Sequence, residues 1–277
     1  MSLHESARSE PRMRVRARFS RTLAGARWDE YRALLEAALK AGYRLLALED
    51  WVREGTPRNG TWLILRHDVD QHPRSALTMA SIEVELGVCS TWYFRWRTAH
   101  PDVVRELRDR GFSVGLHYET LSRRTLADKD GGTAAIEDAR RELQREIAAF
   151  QELFGPIRSV SPHGDSRAPG TSNAELLRGQ DPAEYGVEFD GNEAMRGRGL
   201  AHWLTDRSAA EGGWKDGVDP RGLLADGVSP LLCLTHPNNW VSGPSLWVDR
   251  LLAAMLPRSR PRAGGRPIRT GTDEPRL

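Results

Sequence analysis

From residue 19 onward the chain alternates between two patterns of apolar and polar positions. Short apolar runs at 44–48, 62–65, 91–96, 112–116, 157–161, 187–189, 201–204 and 231–235 read as strands. Between several of them, apolar residues recur at helical spacing. The stretch 28–41 puts Tyr31, Leu34, Leu35, Ala38 and Leu39 on one face, and 74–86, 102–110, 133–154 and 246–256 also read as helices. The strands are runs rather than in/out alternations, which means a sheet covered on both faces. Together with the intervening helices this predicts a parallel α/β sheet. Seven or eight strands within roughly 240 residues fit a (β/α) barrel best, with an open doubly wound sheet as the competitor. No G-x-G-x-x-G or G-x-x-x-x-G-K-[ST] follows any strand, which weakens the open-sheet nucleotide reading.

The ends follow neither pattern. Residues 1–18 are basic and carry no helical stripe, although 13–19 could pair as an extended segment. Residues 257–277 hold Pro257, Pro261, Pro267 and Pro275 among six arginines, a composition that cannot build a packed core. The expected organisation is a basic tail at 1–18, a single domain at 19–256 and a disordered Pro/Arg-rich tail at 257–277.

Composition narrows the function classes. With 277 residues, 39% hydrophobic and 28% charged, the chain can bury a large core without disulfides or structural metals. Forty basic against thirty-eight acidic side chains leave a net charge of +2, which argues against a nucleic-acid binder. Cys89 and Cys233 lie in or beside apolar runs and read as small buried hydrophobes, not a disulfide framework. No apolar stretch reaches bilayer length, and no apolar segment follows the N-terminal arginines. The expectation is a soluble cytoplasmic protein without a membrane span.

The chemistry is signalled by what ends the strands. The run 62–66 finishes in His67-Asp68-Val69-Asp70, and 112–116 in His117-Tyr118-Glu119. The run 157–161 finishes in Pro162-His163-Gly164-Asp165, and 231–235 in His236-Pro237. In a parallel barrel the carboxyl ends of the strands open on one face, so these groups converge on one mouth. Imidazole and carboxylate suit Zn²⁺ or a similar divalent ion with a position left open for water. A carboxylate can then take the water proton, and a second His can protonate a leaving group. Asp68 and Asp70, two residues apart, project to one side of a continued strand, so one could bind metal while the other acts as base. Each signal also has a plainer explanation. Asp68 and Asp70 could open the next helix before Pro73, His163-Gly164-Asp165 could be a turn, and Glu119 could be a solvated loop carboxylate. Four such strand ends together are hard to explain by capping alone. The aromatics Trp203, Trp214 and Trp240 in the later loops could form a sugar-stacking wall.

Leu65-Arg66-His67-Asp68-Val69-Asp70, Gly115-Leu116-His117-Tyr118-Glu119, Ser161-Pro162-His163-Gly164 and Leu234-Thr235-His236-Pro237 together resemble, in order and spacing, the polysaccharide deacetylases of the NodB-homology type, carbohydrate esterase family 4. The resemblance implies a distorted (β/α)7 TIM-like barrel that removes N-acetyl groups from a carbohydrate or glycan precursor with one divalent metal, usually zinc. It implies Asp68 as catalytic base, Asp70 and His117 as metal ligands, and His236 as general acid. The family's His-x-x-x-His motif is broken, because Leu121 stands four residues after His117. The third ligand is then expected from His163, with Glu119 second. Arg167 is the candidate stand-in for an arginine of the family's third motif, and Glu119, Arg167, Trp203 and Trp214 are the candidate substrate contacts. The alternatives are a barrel that has lost catalysis and serves glycan binding or assembly, and a hydrolase of non-sugar linear amides.

Overall fold

The computed structural model describes residues 25–55, 60–127 and 136–241, apart from 197, 208–210 and 212, together with residue 244. The helix expected at 246–256 and both expected tails lie outside the described residues. The elements are α1 (Trp28–Lys40), β1 (Tyr43–Ala47), α2 (Leu48–Glu54), β2 (Thr61–Val69), α3 (Pro73–Leu86), β3 (Thr91–Phe94), α4 (Pro101–Asp109), β4 (Ser113–Tyr118), α5 (Thr120–Ala127), α6 (Ile136–Phe154), β5 (Ser159–Pro162), β6 (Phe189–Asp190), α7 (Gly191–Met195), β7 (His202–Thr205), α8 (Pro220–Ala225) and β8 (Leu231–Thr235).

All the strand pairs are parallel. Seven strands run in the order β6-β5-β4-β3-β2-β8-β7, and β1 pairs with β2 off this path. Among the described residues β6 and β7 do not pair with each other, so the sheet curls as a distorted, open half-barrel. β2 is the hub. Leu63–His67 pair with β8, Thr61–Leu65 with β1, and Arg66–Val69 with β3. A strand has two edges, so β1 and β3 share one of them end to end. β1 stops because Leu48 leaves the sheet into α2, which carries Leu48 and Trp51 onto the inner face.

The unbroken apolar run of β2 resolves into two faces once the partners are known. Leu63, Leu65 and Val69 join the large core with Tyr31, Leu34 and Leu35 of α1, Met79 and Ala80 of α3, and Leu143 and Phe150 of α6. Trp62 and Ile64 instead join Leu48, Trp51, Tyr93, Phe189 and Leu232 in a smaller cluster inside the curl. Alternation of period two thus sends Arg66 and Asp68 inward and His67 outward. Gly115 of β4 is required by this packing, since a Cβ there would lie 2.4 Å from the Ser159 carbonyl oxygen and 2.6 Å from the Tyr93 ring. Four short helices, α2, α5, α7 and α8, carry no sequence signal. They lack the length over which helical periodicity becomes legible. None of the described helices is long and apolar enough to cross a membrane.

Candidate metal centre and active site

Four strand ends deliver the site. Asp68 closes the inward face of β2, and Asp70 follows directly after the strand. His117 is the last inward residue of β4, opposite Ser161 of β5, and His163 follows β5. Neither aspartate opens a helix: α3 begins at Pro73, preceded by His72 in a left-handed conformation (φ 52°). His236 follows β8 and faces the same cleft, a cavity of about 450 Å³ also lined by Arg66, Asn192, Trp203 and Lys215.

Asp70, His117 and His163 offer ligand atoms within 4.8 Å of one another. Asp70 Oδ1 lies 3.6 Å from His117 Nε2 and 3.4 Å from His163 Nε2. His117 Nδ1 donates to the Ser161 carbonyl oxygen at 3.0 Å, which leaves Nε2 as the lone-pair atom pointing inward. Burial holds this imidazole below its ordinary pKa, against the pull of Asp68 and Asp70, and so favours the neutral ligand form. The backbone of His163 is fixed from two sides, its N–H donating to Tyr118 and its carbonyl oxygen accepting from Asn173 Nδ2 at 2.7 Å. Asp70 Oδ1 is buried and has no hydrogen-bond partner. A buried, unpartnered carboxylate oxygen facing two imidazole nitrogens is the donor set of a divalent cation, so these residues fit the metal that the sequence implies. A metal at this trio is therefore supported by the donor chemistry, while its identity is left open by it.

Asp68 stands beside the trio, its Oδ2 3.4 Å from His117 Nε2. Its carboxylate is gripped by Arg66, whose Nε and Nη2 donate to the two oxygens at 2.9 and 2.8 Å. Arg66 also donates to Asn192 Oδ1 and Ser161 Oγ, and its guanidinium lies 4.9 Å above the Tyr93 ring. Burial alone would raise the Asp68 pKa, but the guanidinium, helped by His117, brings it below the ordinary value. Asp70 behaves alike: burial would raise it, and His163, His117 and His236 more than offset that.

His236 is oriented by a residue the sequence reading did not single out. Asp206, just after β7, accepts from His236 Nδ1 at 2.7 Å, from the His236 backbone N–H at 2.9 Å and from Trp240 Nε1 at 2.8 Å. Burial opposes protonation of His236, but the hydrogen bond and charge of Asp206, with Asp68 and Asp70 behind it, push its pKa up to about 9. The free Nε2 faces the cleft, 3.9 Å from Asp70 Oδ2.

Other expected residues fall elsewhere. Arg167 pairs with Asp165 at 2.6 Å, whereas the guanidinium at Asp68 is that of Arg66. Glu119 pairs with buried Arg95 and lies 3.9 Å from His163 Nδ1, on the side of that ring away from Asp70. Trp203 lines the cleft, whereas Trp214 lines a separate one with the buried Trp240, so the three tryptophans do not form one wall. Leu121 is buried in α5 as part of the main core. Of the two thiols, Cys233 is buried in β8, but Cys89 is exposed, because it falls in the turn before β3 rather than in a strand. The signal for Arg66 was available: two residues before Asp68 in a strand is the same face. Asp206 was equally a strand-end residue, but not one with a histidine.

No family model and no curated protein matches the chain. Solved structures do resemble it. One is BA3943 from Bacillus anthracis, described as a CE4 family pseudoenzyme, at 13% identity and TM-score 0.42, covering 73% of this chain and 62% of that one. A BA3943 mutant described as having restored enzymatic activity gives 13% and 0.43, with 73% and 64% covered. This chain thus spans less than two thirds of either. A family 4 carbohydrate esterase from Streptomyces lividans in complex with acetate gives 16% and 0.40, with 70% and 89% covered. The solved structures to which this chain is similar are family 4 carbohydrate esterases and polysaccharide deacetylases, and the likeness is one of fold.

Proposed function

We propose that the protein is a metal-dependent amidohydrolase that removes the acetyl group from an N-acetylated sugar or glycan precursor. The observation that carries this reading is the unpartnered Asp70 Oδ1 between two imidazoles, with a carboxylate on one side and a raised-pKa imidazole on the other. Asp70, His117 and His163 would hold the ion. A divalent cation there supplies Lewis acidity towards water and the amide carbonyl.

The remaining work belongs to side chains of this chain. Asp68, kept ionised and immobile by Arg66, takes the proton of the attacking water. His236, kept protonated by Asp206, gives a proton to the departing amine nitrogen. The two groups approach the reaction centre with opposite protonation states at neutral pH, which a base and an acid in one hydrolysis require. The sugar itself is supported by the resemblance and by the exposed Trp203 in the cleft.

A second reading is a barrel that binds glycans without turnover. Leu121, a core residue where the family's motif has a ligand, favours it. Metal content of the purified protein beside His117→Ala and His163→Ala, with acetate release from N-acetylated sugars, separates the two. About one equivalent of metal, lost in both variants, with acetate release by the wild type, is expected. A wild type that takes up no metal on reconstitution yet binds glycans would sink the hydrolase reading.

A further inference from the structure

Lys215 is one of three lysines in a chain whose other basic side chains, 37 in all, are arginines. It lines the catalytic cleft, and it is exposed. Among the described residues its ammonium makes no hydrogen bond and no ion pair. That sets it apart from the arginines near the cleft, since Arg66, Arg95 and Arg167 each grip a carboxylate.

The chain positions this lysine with some care. Trp214, the residue before it, forms a β-bridge with Asp206, and the Arg207 N–H donates to the Gly213 carbonyl at 3.1 Å. The base of Lys215 is thus tied to the aspartate that orients His236. Asp216, the residue after it, is held at φ 57° and Gly217 at φ 67°, two left-handed residues in succession. A non-glycine residue there is strained, so the turn after Lys215 is held against a local preference. Within the same cleft Trp203 leaves 37% of its surface exposed, the one aromatic among the exposed large hydrophobics of the described residues.

Of the basic side chains lining the cleft, Arg66 is already paired with Asp68 and His236 with Asp206, and His117 and His163 face Asp70. Lys215 is the cation left for a ligand. We propose that the cleft selects N-acyl sugars that carry an anion, Lys215 pairing with the substrate's carboxylate or phosphate and Trp203 lying against the sugar ring. This deepens the hydrolase reading and rests on it.

The test is acetate release by the metal-loaded full chain from N-acetylglucosamine, N-acetylglucosamine 6-phosphate and N-acetylglucosaminuronic acid. The wild type should prefer an anionic sugar by about tenfold in kcat/KM, carried mainly by KM, as a charge-assisted contact implies. Lys215→Ala should bring that ratio near one, and Lys215→Arg should keep most of it. The phosphate and carboxylate arms separate the two sources of the anion. An unchanged thermal midpoint for Lys215→Ala would show that the fold is intact. Equal use of the neutral sugar by the wild type, or a preference that persists in Lys215→Ala, would overturn the proposal. If no sugar is hydrolysed, the hydrolase reading has failed, and calorimetric binding of the same three sugars decides this one. Anion-selective binding lost in Lys215→Ala upholds it; equal binding of all three rejects it.

Discussion

Glu83 and Asp70 each set a carboxylate against histidine, on opposite faces of the sheet, and the two settings are built in opposite ways. Glu83 lies among the helices. Its Oε1 accepts from the Tyr31 hydroxyl and pairs with His67 Nε2 at 2.8 Å, and its Oε2 accepts from Ser90 at 2.6 Å. The other nitrogen of His67 meets Thr235 at 2.7 Å, so every polar atom is answered from within the fold. Asp70 lies at the mouth, with Oδ1 buried and unanswered. A satisfied polar cluster stabilises and specifies a core; one left open at a cleft is where a ligand supplies the missing partner. The two adjacent residues His67 and Asp68 therefore face different settings, one the helix-side cluster around Glu83 and the other the cleft.

The sharpest way to break that contrast is at Asp68. Asp68→Asn should lower kcat by about 10²- to 10⁴-fold while bound metal is retained. Arg66 keeps Ser161 and Asn192 as partners in this variant. Retention of full rate on a proven substrate would remove Asp68 from the mechanism. The opposite behaviour is expected of Glu83→Leu, which strands three buried donors. It should destabilise the fold by roughly 3 kcal/mol or more in urea unfolding, with the folded fraction still binding metal. A stable Glu83→Leu protein without metal would erase the distinction drawn here.

A third test uses His236 in the metal-free protein. Its pKa is raised to about 9 against an ordinary 6.5, so the stability it contributes is complete below pH 6.5 and is lost as pH rises through 9. Asp206→Asn should move the imidazole titration, followed by NMR, back towards 6.5 and narrow that window. An unmoved titration would show that Asp206 does not set the proton on His236. The smallest effect is expected of Arg167→Ala, which removes an exposed guanidinium from its pair with Asp165. Its kcat/KM should stay within about twofold of the wild type, and a loss of Asp68→Asn size would restore Arg167 to the site.

Much of this was legible in the sequence, because strand periodicity and chain punctuation are local properties. The runs ending in Asp68 and Asp70, His117, His163 and His236 do end strands, and the sheet does bring them to one mouth. What the sequence did not show was which partner each side chain takes. Arg167 lies two residues after Asp165 and pairs with it locally, whereas Arg66 is turned to Asp68 by the face of β2. Trp203 and Trp214, eleven residues apart, line different clefts, because the bridge between Asp206 and Trp214 turns the chain between them. Glu119 pairs with Arg95, which follows β3, and with His163 and Asp165 it forms a second group whose ligand atoms lie within 4.8 Å of one another.

The sequence by itself determined the parallel α/β plan, the strands that carry chemistry and the small set of His and Asp residues from which a site could be made. Hydrophobic burial enforces that much, since each apolar run has one way to be covered on both faces. Only the tertiary structure decided which nitrogen or oxygen of each residue is answered by the fold and which is left over. That choice depends on contacts between residues far apart in the chain, 168 positions in the case of His67 and Thr235, and no local pattern encodes them. It is why His67 became part of the core while Asp70, His117 and His163 were left facing one another.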